Sequence, residues 1–271
     1  MSYACKTLIT SAGELASRGK RLSICLEAGG FSFAEVTLAG QLLTFGQAEG
    51  HHAHTMTGVM ADVKAFFAEV GIRPLGYAQM ELVVLSDTSA WVPDELYSSL
   101  SNRQYVQLVG GSAESLMTCH SKELASTAVF AANEQVVTAF KVAMPGVAVM
   151  HQHAKLARLA PLSQGRPLIV AHWRKGRVDV AAFHEGRYLF GNTLPCGSTS
   201  EAVYHLVEVM KTQNLEDGSL ELKLCGDVDR DSYAACRPYF PQVGLLNGID
   251  PDRQSPEFHN LHTYRHALIL V

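Results

Sequence analysis

RPLIVAHWRKGRVDVAAFHEGRYLFGNTLPCGS, residues 166–198, is the stretch whose reading decides the fold. It reads as three strands in succession. Leu168, Ile169, Val170 and Ala171 form a short apolar run of the kind buried on both faces. Arg174-Lys175-Gly176 is a turn signal, because glycine takes the positive φ that tight hairpins need. Residues 178–183 are rich in strand formers, and His184-Glu185-Gly186 marks a second turn. Tyr188-Leu189-Phe190 opens a third strand, which ends before Pro195. Ser198 or Thr199 then caps a helix whose apolar residues Ala202, Val203, Leu206, Val209 and Met210 recur at helical spacing.

The same order of strand, strand, strand, helix stands earlier in the chain. Residues 22–26 read as a strand, Gly29-Gly30 as a turn, residues 32–38 as a second strand, Ala39-Gly40 as a turn and residues 41–47 as a third strand. A helix over 57–70 follows, with Val59, Met60, Val63, Phe66, Phe67 and Val70 on one side. Gly30 and Gly176 stand as far apart as Gly40 and Gly186, so the chain reads as one unit used twice. The expected halves are residues 1–160 and 161–271, meeting in the proline-bounded stretch from Pro161 to Pro167.

Between these units the pattern predicts strands at 80–85, 105–109, 127–131 and 147–150. It predicts a helix start at 91–97, a helix capped by Asn133 and running to Phe140, and a helix over 152–159. The second half continues with a strand at 220–225, a helix at 231–237 and a strand at 242–246. Residues 1–20 show little pattern, and the tail from Tyr264 reads equally as strand or helix.

The chain has 271 residues, 47% hydrophobic and 18% charged, a composition that favours a packed core over disorder. Its net charge of −4, with no Lys/Arg run, argues against nucleic acid as a partner. Residues 1–6 lack a basic start followed by an apolar core, and no apolar run approaches the ~20 residues that span a bilayer. Six scattered cysteines without a CxxC spacing read as reduced thiols, and together these features predict a cytoplasmic location with no transmembrane segment.

Three antiparallel strands, a helix, a strand, a helix and a strand, doubled, resembles the ribonuclease-H-like unit of actin-like ATPases. A more specific resemblance is to an uncharacterised domain-of-unknown-function family of Bacteroidota, similar to degenerate relatives of the pilus-assembly and cell-division branch of actin-like proteins. It rests on residues 22–33 (LSICLEAGGFSF), 82–96 (LVVLSDTSAWVPDEL), 149–151 with the helix after them, 179–192 and 204–226. It implies an α/β, duplicated ribonuclease-H-like (actin-like ATPase) fold. Each half would hold a mixed sheet with a three-strand antiparallel meander and flanking helices.

Actin-like enzymes hold ATP between their halves, so the resemblance also implies where a nucleotide would sit. The first hairpin of each half offers an Asp-x-Gly type turn, whose glycine admits phosphates and whose acid organises Mg²⁺ and water. Here the first turn is Glu27-Ala28-Gly29-Gly30, which keeps the acid-x-Gly spacing with a longer acid. The second, residues 171–176, has no acid at its start and carries the bulky Trp173; Arg174 and Lys175 beside Gly176 can attract an anion. Gly226-Asp227 keeps one glycine of the pair that makes room for adenosine, and its carboxylate would face the nucleotide's own charge. The candidate nucleotide residues are therefore Glu27, Gly29, Gly30, Arg174, Lys175, Gly176 and Gly226. Plain turn chemistry alone also accounts for Gly30, Gly176 and Gly226. No cofactor is expected beyond vestigial ATP/Mg binding.

Histidines cluster at His51, His52 and His54, a loose candidate metal site without ligands fixed by secondary structure. His151 with His153, and His259, His262 and His266, are weaker candidates. No GxSxG elbow, HExxH, Walker A loop or GxGxxG occurs. The favoured reading is a non-catalytic, cytoplasmic scaffold or protein-interaction module that binds a protein partner or itself. The alternatives are an ATP-binding enzyme of the actin and sugar-kinase type with a modified site, and a histidine-based metal-binding protein.

Overall fold

Glycine turns between strand-forming runs build two sheets with one topology. The computed structural model describes residues 3–11, 19–27, 29–50, 56–112, 114–216, 218–250 and 254–271. The chain begins β1 (Ala4–Thr10), β2 (Lys20–Glu27), β3 (Gly30–Thr37), β4 (Leu42–Glu49), α1 (Met56–Val70) and β5 (Tyr77–Val84). An excursion follows, made of β6 (Ser89–Pro93), α2 (Asn102–Leu108), β7 (Leu116–Ser121) and β8 (Ser126–Ala131). Next come α3 (Glu134–Ala143), β9 (Ala148–His151) and α4 (Gln152–Ala157). The remainder is β10 (Leu168–Arg174), β11 (Arg177–His184), β12 (Arg187–Pro195), α5 (Thr199–Thr212), β13 (Glu221–Gly226), α6 (Arg230–Cys236), β14 (Gln242–Leu245) and α7 (Ala267–Leu270).

One sheet runs β1-β4-β3-β2-β5-β9, the other β12-β11-β10-β13-β14, and the excursion forms a small third sheet, β6-β8-β7. Without β1, the two large sheets are the same object: an antiparallel meander continued by two parallel strands. Even their irregularities agree. The β3–β4 pairing skips Leu43 and the β11–β12 pairing skips Leu189. The chain thus adopts the duplicated, mixed-sheet architecture expected of it.

Strand register sharpens the internal alignment. Glu27 pairs with Gly30 and Arg174 with Arg177, so each first hairpin has a two-residue loop. Gly176 is therefore the counterpart of Gly29, and Arg174 the counterpart of Glu27. Gly30 opens β3 at φ 147°, and a Cβ there would run into the backbone carbonyl of Ala48.

Each sheet buries one face under its own helices. Phe31 and Phe33 meet Phe66 of α1, and Phe31 also meets Phe140 of α3. Ile169, Val180 and Leu222 meet Ala202, Leu206 and Val209 of α5. Between the sheets lie α4 and α7. Ile269 and Leu270 pack with Cys25, Phe45 and Val83 of the first sheet. Leu156, Ala267 and Leu268 pack with Leu168, Val170 and Phe183 of the second. Fully burying such a side chain stabilises the fold by about 1.5–3 kcal/mol, so α7, although only one turn long, ties both sheets together.

Several local expectations give way. Residues 91–93 belong to strand β6, in which Ala90 and Val92 turn inward, and the acids Asp94 and Glu95 sit in the single 3-10 turn that follows. Residues 105–108 are helical rather than extended, because only Val106 of that segment packs inward. β1 forms although its sequence is weakly patterned, as an edge strand half exposed along its length. The tail resolves into 3-10 turns and α7, and β7 was not expected at all. All six cysteines are free thiols.

Candidate functional site

The carboxyl ends of β2, β5, β10 and β13 open on one cleft between the sheets, with a volume of about 1220 Å³. Crevices beyond the ends of parallel strands are where α/β sheets collect ligands. The first hairpin contributes Glu27 and Gly29, the second Arg174 and Lys175, and the end of β13 Gly226 and Asp227. Gly30 and Gly176 do not line the cleft. Arg265 and His266, ahead of α7, form part of its floor. His51, His52 and His54 fall outside the described residues. Among the described residues, no three His, Cys, Asp or Glu side chains gather closely enough to hold a metal ion.

Arg174 is not a free cation. Its Nε donates to Asp179 Oδ2 at 2.8 Å, and its Nη2 donates to Asp179 Oδ1 at 3.0 Å and to Asp87 Oδ1 at 2.9 Å. Asp87 belongs to the loop after β5, across the cleft, and its other oxygen meets Arg177 Nε at 2.7 Å. Two arginines of one half therefore clasp one carboxylate of the other. The guanidinium fork suits paired carboxylates, and here both sides of Arg174 are taken.

Beneath the clasp lies a buried polar hub. Asp179 is wholly enclosed and lies directly across the β10–β11 ladder from His172, whose Nδ1 is 2.9 Å from its Oδ2. Thr193 Oγ1 donates to Asp179 Oδ1 at 2.7 Å. The Gln152 side-chain amide bridges to the first half, donating to the Ser86 carbonyl at 2.6 Å and accepting from the Ser86 N–H at 3.0 Å. Burial alone would raise the Asp179 pKa; the bonds from His172 and Arg174 outweigh it and hold the carboxyl well below the usual range.

Glu27 shows the opposite balance. Its tip reaches solvent inside a concave, protein-walled cleft, and its carboxyl is pushed up by burial first and by the charge of Asp227 second, against the pull of His172. The first-half hairpin thus brings a carboxylate to the cleft, while the equivalent place in the second half brings a guanidinium already neutralised by two acids. Trp173 does not obstruct the cleft with its ring, which is buried in the second core; its backbone carbonyl is what closes against Gly226. Lys175 remains exposed, with no acidic partner among the described residues.

Two of the other histidine candidates, His151 and His153, meet at the start of α4. His151 caps α4, its Nδ1 accepting from the His153 N–H, and the two rings stack with centroids 5.5 Å apart. Asp229 caps α6 through the Ser232 N–H.

Asp179, Asp87, Gln152 and Thr193 were not singled out from sequence. A signal was present for Asp179: a lone acid between Val178 and Val180 in an apolar strand demands buried partners. For Asp87 and Gln152 no local signal exists, because their partners lie 87 and 27 residues away.

A protein from Bacteroides thetaiotaomicron VPI-5482, with an actin-like ATPase fold and unknown function, matches the structure with a TM-score of 0.68. The two are 20% identical, over 91% of this chain and 96% of that one. A PilM-PilN type IV pilus biogenesis complex matches with a TM-score of 0.55 at 14% identity, over 93% of this chain and 97% of that one. No curated protein matches the sequence at a significant level. Two like-folded halves with their first hairpins facing across a cleft make this a protein of the actin-like ATPase fold. Within that class the chain belongs to the family described as "protein of unknown function (DUF3822)", whose model matches residues 14–243. Among the described residues no helix is long and apolar enough to cross a membrane.

Proposed function

We propose that this protein is a non-catalytic actin-like-fold protein serving as a scaffold or protein-interaction module in the cytoplasm. Its halves, residues 1–160 and 161–271, are joined by the shared helix α7 and by the clasp rather than by a nucleotide. The observation that carries this reading is the engagement of Arg174. At the hairpin position where phosphate chemistry needs an acid to order Mg²⁺ and water, the chain has a guanidinium bound to Asp87 and Asp179. A triphosphate would have to displace two carboxylates there, while Glu27 and Asp227 would repel it from either side. Loss of a metal-organising acid removes several kcal/mol of transition-state stabilisation. The fold's appearance in a PilM-PilN complex agrees with a role in binding proteins.

A second reading, nucleotide binding without turnover, draws on the surviving acid-x-Gly turn at Glu27 and on the size of the cleft. Thermal melts and phosphate release, with Mg-ATP, Mg-ADP and no ligand, separate the two. Ligand at a hundredfold excess over Kd stabilises by about 2.7 kcal/mol, a rise of several degrees for a chain of this size. The proposal expects no rise and no released phosphate. A rise abolished by Glu27→Ala supports the second reading, and phosphate release sensitive to the same substitution overturns both.

A further inference from the structure

Between the two large sheets, the duplication leaves one strand without a counterpart. In the first sheet, the outer edge of the meander is β4, and β1 covers it as an antiparallel sixth strand pairing Ala4 with Glu49 through Thr10 with Thr44. The Ser11 N–H continues the ladder to the Leu43 carbonyl at 2.9 Å. In the second sheet the equivalent strand is β12. Pairing of Gly30 with Glu49 matches Arg177 with Pro195, and Glu35 with Thr44 matches Ala182 with Phe190. No described strand lies outside β12, which ends the sheet. An edge strand with unpaired main-chain groups is a template for another strand.

Beside that edge lies a groove of about 850 Å³ between β12, the β7–β8 turn and the end of α4. Its apolar walls come from Trp91, Leu124 and Tyr188, and the paired Glu123 and Arg158 line it beside them. Leu189, at the skipped position, is 41% exposed beside them. Arg187 lies at the mouth, exposed and without an acidic partner among the described residues. At the other end, Pro195 has no N–H to offer and its carbonyl accepts from His205 Nε2 at 3.0 Å, so the open edge is confined to the first two-thirds of β12.

We infer that β12 accepts an extended segment of a partner protein as an added antiparallel strand, in the place that β1 fills in the first half. Main-chain bonds supply the affinity in this mode, and side-chain pockets on alternate residues supply the choice of partner. Antiparallel addition puts the later residues of the segment beside Arg187. The segment therefore alternates apolar residues, which enter the groove by Trp91 and Tyr188, and carries Asp or Glu near its carboxyl end to meet Arg187. This rests on the interaction-module reading and specifies its surface.

The test pans a random peptide library, displayed on phage, against the full chain. Enriched sequences should show that alternation with a C-terminal-side acid. A synthetic peptide of the enriched sequence should slow amide hydrogen exchange along residues 187–192. Arg187→Glu and Leu189→Asp, each checked for an unchanged melt, should weaken its binding about tenfold or more. The inference fails if nothing is enriched, if the peptides bind both variants as well as the wild type, or if β12 becomes protected by self-association as the chain is concentrated. Peptides that protect another surface sink this inference but leave the interaction-module reading standing. Turnover of Mg-ATP sinks that reading whatever the peptides do.

Discussion

Asp179 and Glu81 stay ionised inside the protein because each is met by two basic side chains, whereas His151 and His153 stay neutral because no carboxylate bonds to them. Burial would raise the Glu81 pKa, but Lys155 and Arg158 outweigh it and bring it down to about 2. Burial lowers His151, and lowers His153 to about 4, the attraction of Asp179 being too small to restore it. The His151 Nδ1 accepts a bond, so its proton sits on Nε2, which has no partner among the described residues. An unfolded histidine takes its proton near pH 6.5 and folded His153 only near 4. The unfolded chain therefore binds more protons across that window, and stability falls as pH drops through it. For His153 alone the loss amounts to about 3 kcal/mol by pH 4. Glu81 adds a second loss between its ordinary value and about 2, since protonation removes a charge the fold stabilises. Urea midpoints should fall from pH 7 to pH 5, and fall less in His153→Gln, which keeps a bond to Thr193 without titrating. Equal falls in the two proteins would show that His153 contributes nothing to acid lability.

The two first hairpins show how much of an element the sequence can announce. Their strands, their glycine turns and the helices after them were legible because period-two alternation and turn residues are local. Cap residues were legible too, and Asn133 and Ser198 accept from Val136 and Glu201 N–H groups as their positions imply. β1 was not legible: an edge strand needs only one half-buried face, and Cys5, Thr7 and Ile9 alternate too weakly to reveal it. Residues 105–108 misled in the other direction, because strand formers on a surface helix cost little when one valine does the packing. Of the candidate site, the glycines and Glu27 were visible, but the clasp depends on Asp87, which only the folded chain brings to Arg174. The glycines themselves are not alike. Gly226 has φ 82° and a Cβ there would strike the Trp173 carbonyl, which already accepts the Asp227 N–H at 2.9 Å. Gly29 has no neighbour within reach of a Cβ. Thermal melts should therefore show Gly226→Ala losing about 3 kcal/mol, from strain and overpacking together, and Gly29→Ala losing less than about 0.5 kcal/mol. A Gly29→Ala loss as large as that of Gly226→Ala would contradict this view of the hairpins.

At the scale of the whole molecule, the question is what couples two halves whose cores lie on separate sheets. The clasp is one answer, but Asp87 is 45% exposed, and exposed ion pairs contribute about 0–1 kcal/mol. The larger share falls to α7, in which successive residues enter different cores: Leu268 joins Leu168, Val170 and Phe183, and Ile269 joins Cys25, Phe45 and Val83. Arg21 of β2 adds a bond from its Nη2 to the Leu270 carbonyl at 3.0 Å, fixing the helix to the first sheet. Truncating either residue should cost about 2–5 kcal/mol, the range for buried leucine and isoleucine. The place of the damage should differ. In Ile269→Ala, amide exchange should speed up first in β2, β3 and β5; in Leu268→Ala, first in β10, β11 and β13. If α7 is the main joint, calorimetry of each variant should resolve two transitions where the parent protein shows one, because the unweakened half can outlast the other. A single transition that merely moves down in both variants would assign the coupling instead to α4 and the Gln152–Asp179 hub. The two halves would then be joined through their polar centre and not through their shared apolar helix.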